Sequence, residues 1–238
     1  MMRISGFSIS LLLIVFAYPA FCQDSIKVPL NIRAGIDIYG PAYNYYHPEN
    51  RTFEGYVAFD PDLRKSYVFE TGVQNFTYSQ SNYKFSSNGL FFRLGADFNI
   101  IKPFQSEGKY YAGIGLRYGM SLYHTQVPYF THDNYWGATT SSIPTARHLA
   151  HFIEADPGVR TQLMKYVSIG FYIRLRLMIY RGGSGDLEPI NIPGFGNGTK
   201  SFSPGINYYI SFSIPYKSVV AKPQADETPA ENQDTDKK

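Results

Sequence analysis

Two sets of residues in this chain could do chemistry. The first is charged: Arg33, Arg93, Arg117, Arg174 and Arg176, with Asp37, Glu54, Glu70, Asp97 and Glu154. A guanidinium is a planar fork that pairs with carboxylates through two parallel hydrogen bonds, so such a set can build a salt-bridge network. The signs balance, five against five, which allows every charge a partner. That balance matters, because an unpaired buried charge costs several kcal/mol. The expected role is structural, and a proton or ion path is the other chemistry open to it. The second set is His124, His148 and His151. With His47 and His132 these are all the histidines, and all fall in or beside polar connecting segments. Together with Glu49, Asp133 and Asp186 they could make a metal site or a hydrolytic site at a rim. Such a site needs mutual hydrogen-bond reach. His148 and His151, three apart on a strand, would point to opposite faces and could not chelate together. Solvated loop histidines are the plain reading, and a rim site on His124, His148 and His151 is the alternative. Nothing in either set calls for a cofactor.

The elements that must position these side chains are strands. Tyr166–Arg181 shows it best. Val167, Ile169, Phe171, Ile173, Leu175, Leu177 and Ile179 make one apolar row, while Ser168, Gly170, Tyr172, Arg174, Arg176, Met178 and Tyr180 make the other face. A period of two predicts a strand, and at about 3.3 Å per residue it is long enough to cross a bilayer at a tilt. The same alternation predicts strands over 30–39, 52–59, 66–78, 90–100, 110–123, 148–160 and 202–216. The pattern of the third changes phase beyond Asn75, where a bulge or the membrane rim would each explain it. Polar connections fall at 40–51 and 79–88, and a Gly- and Pro-rich loop, flexible at Gly194–Gly198, at 182–200. The longest, 124–147, holds the only tryptophan, Trp136.

Aromatic residues make up 17% of the 238 residues, with 21 Tyr and 18 Phe, and charged residues also 17%. Many short aromatic strands give that composition and a helical bundle does not. The net charge of +3 comes without a basic cluster, so nucleic acid is not an expected partner. Residues 1–22 read as a signal peptide: a basic Met1-Met2-Arg3, an apolar 7–18 and small residues at Ala20 and Cys22, with cleavage expected before Gln23. Lipidation of Cys22 is disfavoured by the bulk of Phe21. Removing Cys22, the single cysteine, leaves a chain without disulfides or thiolate sites. No later run is long and apolar enough for a transmembrane helix. Residues 217–238 are rich in Pro, Glu, Asp and Lys and are expected to be a disordered tail.

Alternation alone does not say which face is inside. Lys27, Lys65, Lys84, Lys102, Lys109, Lys165, Lys200 and Lys217 all lie at strand ends or in connections, as they would if neither strand face met bulk water. Long and short connections alternate, as in barrels with short periplasmic turns and longer surface loops. Tyr39, Tyr110, Tyr123, Tyr166, Tyr180 and Tyr216 stand at strand ends, where interface girdles form. The expected fold is therefore all-β: an eight-stranded antiparallel transmembrane barrel over 23–216, with a polar lumen filled by side chains.

The strand GIGLRYGMSLY at Gly113–Tyr123 and the loop PINIPGFG at Pro189–Gly196 resemble those of small outer-membrane barrels of the Bacteroidetes, similar in architecture to OmpA and OmpX. The likeness covers nearly all of the mature chain. It implies the fold and an outer-membrane location, and it carries no activity. It departs at the end, where Tyr216 is followed by the tail instead of closing the chain, so an assembly signal would lie within 206–216. The function expected is a non-enzymatic outer-membrane barrel with a structural or accessory role through loops and tail. Its partners would be outer-membrane lipid and other outer-membrane or periplasmic proteins. An outer-membrane hydrolase or acyltransferase, and a soluble periplasmic ligand-binding barrel, are the alternatives.

Overall fold

A computed structural model describes residues 25–183 and 188–221; the signal segment, 184–187 with the rim candidate Asp186, and 222–238 of the tail lie outside them. The chain runs β1 (Ile26–Asp37), α1 (Tyr39–Tyr46), β2 (Asn50–Phe59), β3 (Lys65–Gln80), β4 (Tyr83–Asn99), α2 (Pro103–Ser106), β5 (Tyr110–Asn134), β6 (Gly137–Met164), β7 (Val167–Gly183), the short pair β8 (Asn191–Ile192) and β9 (Gly196–Asn197), and β10 (Phe202–Ala221). β1 to β7 and β10 close into one antiparallel barrel of eight strands, β10 pairing with both β1 and β7. Along the length where all eight strands pair, closure leaves no sheet edge and the backbone is satisfied within the wall; β10 outruns β1 beyond Tyr209.

The polarity is inverted relative to a soluble barrel. The apolar row of β7 points outward, as do Leu94, Leu116, Ile206 and Ile210, while Arg174, Glu70 and Ser211 point inward and are buried. This is the architecture of a transmembrane barrel. Inward glycines make room for large neighbours across the ladder. A Cβ on Gly119 would stand 2.2 Å from the Phe152 ring, and one on Gly72 would stand 2.3 Å from Phe91. Both strand ends of the chain lie at one end of the barrel, with short turns between β2 and β3 and between β6 and β7. At the α2 turn an exposed ion pair, Lys109 to Glu107 at 2.6 Å, draws the carboxyl down and the ammonium up.

Several expectations need correction. The segment 124–147 is not a loop. β5 and β6 continue as a paired ribbon as far as Asn134 and Gly137, and only Tyr135 and Trp136 turn the chain. The apparent connection 79–88 is likewise strand, turning at 81–82. Polar composition concealed both, because a ribbon that has left the lipid no longer needs an apolar face. The phase change beyond Asn75 has the same origin. β3 and β4 pair without a register shift from Lys65 to Gln80, so no bulge is involved, and the Phe76 ring lies tilted against Phe85 above the rim. Leu30 is buried and does not share the outward row of Ile32 and Ile36, because the β1–β10 register shifts between Leu30 and Asn31. Part of 40–51 is the helix α1. β10 runs on to Ala221, beyond Tyr216, paired with Ile26.

An arginine at an outward mid-strand position tests the polarity. Leu116→Arg should destabilise the barrel by about 2–4 kcal/mol in a bilayer, the depth-dependent cost of a lipid-facing arginine. Denaturant unfolding in lipid vesicles measures it. Ser79→Arg, on the ribbon above the rim, should change stability little.

Candidate functional site

The lumen is built in layers. Nearest the chain ends, Arg33 pairs with Asp60 and donates to Ser66 Oγ at 3.1 Å, and Ser66 in turn donates to Asp60 at 2.6 Å. Above this lies a tyrosine layer of Tyr56, Tyr111, Tyr172 and Tyr209. The middle of the barrel is a single charged network. Arg93 meets Glu54 at 2.9 Å, Glu70 at 3.2 Å and Glu154 at 2.9 Å. Arg174 meets Glu54 at 2.6 Å and Glu70 at 2.8 Å. Arg117 meets Glu70 at 2.9 Å, Asp97 at 3.0 Å, and Asp156. Arg176 meets Glu154 at 2.7 Å. Tyr209 accepts from Arg174 and donates to Glu54, tying the tyrosine layer to the charges.

The sequence-predicted charged residues divide three ways. Glu54, Glu70, Arg93, Asp97, Arg117, Glu154, Arg174 and Arg176 come together. Arg33 stands apart in its own triad. Asp37 joins no ion pair among the described residues: its carboxylate accepts the backbone N–H groups of Tyr39 (3.2 Å), Gly40 (2.8 Å) and Tyr208 (3.2 Å). Asp156, on the polar face of β6 and outside the five predicted acids, belongs to the network. Asp60, just past the end of β2, folds beneath Arg33.

The 182–200 connection shows the largest departure from expectation. The stretch PINIPGFG does not stand in solvent as a flexible loop. The β8–β9 hairpin folds into the mouth of the lumen. Ile192 and Phe195 are fully buried against Tyr123, Ala150 and Phe152. The charged layer holds the hairpin by its backbone: Arg93 donates to Gly194 O at 2.8 Å, and Arg176 to Phe195 O at 3.1 Å. Gly194 N–H donates to Gln74 Oε1 at 3.0 Å. Gly194 has φ +75°, and a Cβ there would stand 2.4 Å from the Phe91 ring, so both backbone and space demand glycine. The sequence carried a signal for this plug in Ile190, Ile192, Pro193 and Phe195, which are too apolar for a solvated loop.

The histidines do not meet in one site. His148 is buried, facing inward, with Nε2 2.7 Å from Thr125 Oγ1 and its ring stacked on Tyr123. His151 faces outward, Nδ1 2.7 Å from the Tyr118 hydroxyl. His124 is exposed on the outward row of β5. No group of three or more His, Cys, Asp or Glu with metal-holding geometry occurs among the described residues.

The model of one family, described as a domain of unknown function (DUF6048), matches residues 2–218. The chain belongs to the DUF6048 family. No curated protein matches it. Among solved structures it is similar to the N-terminal β-barrel domain of Pseudomonas aeruginosa OprF, at 10% identity and TM-score 0.32, over 80% of this chain and all of that one. It is also similar to Acinetobacter baumannii CarO, at 10% identity and TM-score 0.37, over 79% of this chain and 98% of that one. Both are distant, and the fold described for this member of DUF6048 rests on its own strand pairing.

Two substitutions probe the lumen. Arg93→Met leaves Glu54, Glu70 and Glu154 short of a cation and should cost about 3–5 kcal/mol in denaturant unfolding, the penalty for breaking a buried pair. Gly194→Val should unseat the hairpin while the wall persists, so that limited proteolysis of the folded protein cuts within 188–201 where the wild type resists.

Proposed function

We propose that this protein is a closed, non-enzymatic outer-membrane barrel with a structural or accessory role, presenting its projecting ribbon to other components of the outer membrane. One observation carries the reading: an apolar outer wall encloses a lumen blocked across its middle by ion pairs and tyrosines and covered by its own folded-in hairpin. An apolar wall exposed to water would aggregate, and in lipid it is at home. The filled lumen argues against an open pore. Two cavities at the ends of the lumen, about 570 Å³ at the hairpin end and about 300 Å³ at the chain-end side, share no lining residue. The eight-strand circumference leaves little more, since a barrel of this size is filled by side chains.

The β5–β6 ribbon supports the accessory role. It extends well beyond the rim and ends in Tyr135 and Trp136, which are 93% and 90% exposed and packed edge to face on each other. Exposed aromatic residues are characteristic anchors of protein interfaces. In this reading the two chain ends face the periplasm and the ribbon faces outward.

The test is fractionation combined with planar-bilayer recording. The protein is expected in the outer-membrane fraction, with a gel mobility that shifts on boiling. Purified and reconstituted, it should show no stepwise conductance, and deletion of the ribbon tip, 133–138, should abolish co-purification of partners without altering the mobility shift. Recovery as a soluble periplasmic protein would overturn the reading, and so would steady channel steps from the intact chain.

A further inference from the structure

The barrel wall has a notch. β1 ends at Asp37, paired with Tyr209, while β10 continues toward the hairpin end as far as Phe202. Along a strand, the N–H and C=O of successive residues point to opposite neighbours. Tyr208 faces the β1 side, where its N–H donates to Asp37 and its carbonyl accepts from Ile38 N–H at 2.8 Å. Ile206, Pro204 and Phe202 have the same parity, so their backbone groups face the place where β1 has stopped. Pro204 has no N–H to offer there, and a proline inside a sheet is tolerated at such an open edge.

On the opposite bank, α1 takes the place of the missing strand. Asn44 acts as a strand residue toward β2, its amide donating to Thr52 O at 3.0 Å and accepting Thr52 N–H at 2.9 Å. The β10 bank has no such surrogate among the described residues. The cavity of about 570 Å³ passes through this notch. Its lining includes Glu54, Arg93 and Arg176 of the lumen, and also Phe171, Ile173 and Ile206 of the outward, lipid-side face.

Two polar groups line this cavity with hydrogen-bonding capacity unspent. Asn191 is 7% exposed, and its buried Oδ1 has no partner among the described residues. Arg176 is committed through Nε to Glu154 and through Nη1 to Phe195 O. Its guanidinium lies over Gly205, where Nη2 would stand 3.0 Å from an added Cβ, so glycine gives it room beside the notch.

We propose that the notch between α1 and β10 is a side-entry site for a membrane phospholipid with a zwitterionic amino head. The phosphate meets Arg176 Nη2 in a charge-assisted hydrogen bond. The ammonium finds Asn191 Oδ1 and the carboxylates of Asp37 and Glu54 on the same lining. An acyl chain leaves through the gap onto Phe171, Ile173 and Ile206. The volume suits a head and the first part of a chain, within the usual size of small-molecule sites. The inference goes beyond the accessory role and rests on the membrane location of the barrel.

The test uses the full chain in phosphatidylethanolamine vesicles doped with a photoactivatable phosphatidylethanolamine, with adducts mapped by mass spectrometry. Lipid that merely surrounds a barrel reaches outward residues alone. The expected result adds adducts on inward residues at the notch, Asn207 and Asn191 above all. Asn191→Leu, which retains the boiling shift, should lower the inward labelling about 10- to 100-fold, the weight of one hydrogen bond to a charged group, and leave outward labelling unchanged. Outward adducts alone would overturn the notch proposal and keep the membrane barrel. Absence of outward adducts would overturn the barrel's membrane location itself. Inward labelling unchanged by Asn191→Leu and equal with photoactivatable phosphatidylglycerol would overturn the assigned head chemistry.

Discussion

The charged layer around Arg93 is the constraint on which the rest of the lumen depends. One guanidinium touches carboxylates from β2, β3 and β6 and the carbonyl of Gly194 in the plug. Ions in so dry a space carry a large desolvation cost, and their mutual attraction offsets it only when geometry and hydrogen bonding are nearly complete. That requirement sets the surroundings. Gly95 and Gly205 on neighbouring strands clear volume for Arg117 and Arg176, Tyr209 joins Arg174 to Glu54, and Asp97 and Asp156 together complete the fork of Arg117. A hydrophobic filling of equal volume would also close a barrel. The ionic filling ties many strands to one another at defined register, which a slipped strand could not satisfy.

The same layer explains why the mouth is closed by backbone and not by side chains alone. Arg93 and Arg176 have donors left after pairing, and the hairpin offers them the carbonyls of Gly194 and Phe195. Phe195 and Ile192 then cover the charges with an apolar cap. Plug and network stabilise each other. Where β1 stops short, the wall is restored on one bank by α1 and the amide of Asn44, and stays open on the other along β10. Asp37 serves that junction, gathering the N–H groups of β10 and the start of α1 at one carboxylate.

Much of this was legible in residue order, within physical limits. Strict alternation in lipid revealed the strands, since each outward residue must be apolar there, and it located most of the inward charges. Beyond the rim the lipid constraint vanishes, and so does the pattern: the ribbon from His124 to Arg147 has the composition of a loop and the structure of a strand pair. Asp37 and Asp60 show a second limit. Both are buried acids near strand ends, yet one caps backbone groups and the other binds Arg33, and only the course of the chain at the β1–α1 and β2–β3 junctions decides between those fates. The plug was misread because its glycines suggest flexibility, while its isoleucines and phenylalanine state burial. The histidine set could be resolved only by facing direction, since His148 turns inward and His124 and His151 outward.

The central claim is that apolar residues face lipid and the charges face a filled interior. Site-directed spin labelling along β7 tests it most directly, on a Cys22-substituted chain carrying one new cysteine at a time from Val167 to Tyr180 in phospholipid vesicles. The account predicts that labels at 169, 171, 173, 175 and 177 are relaxed by dissolved oxygen and hidden from a water-soluble nickel reagent. Labels at 168, 170 and 172 should be immobile and shielded from both. Nickel-accessible odd positions, or a signal without the period of two, would contradict it.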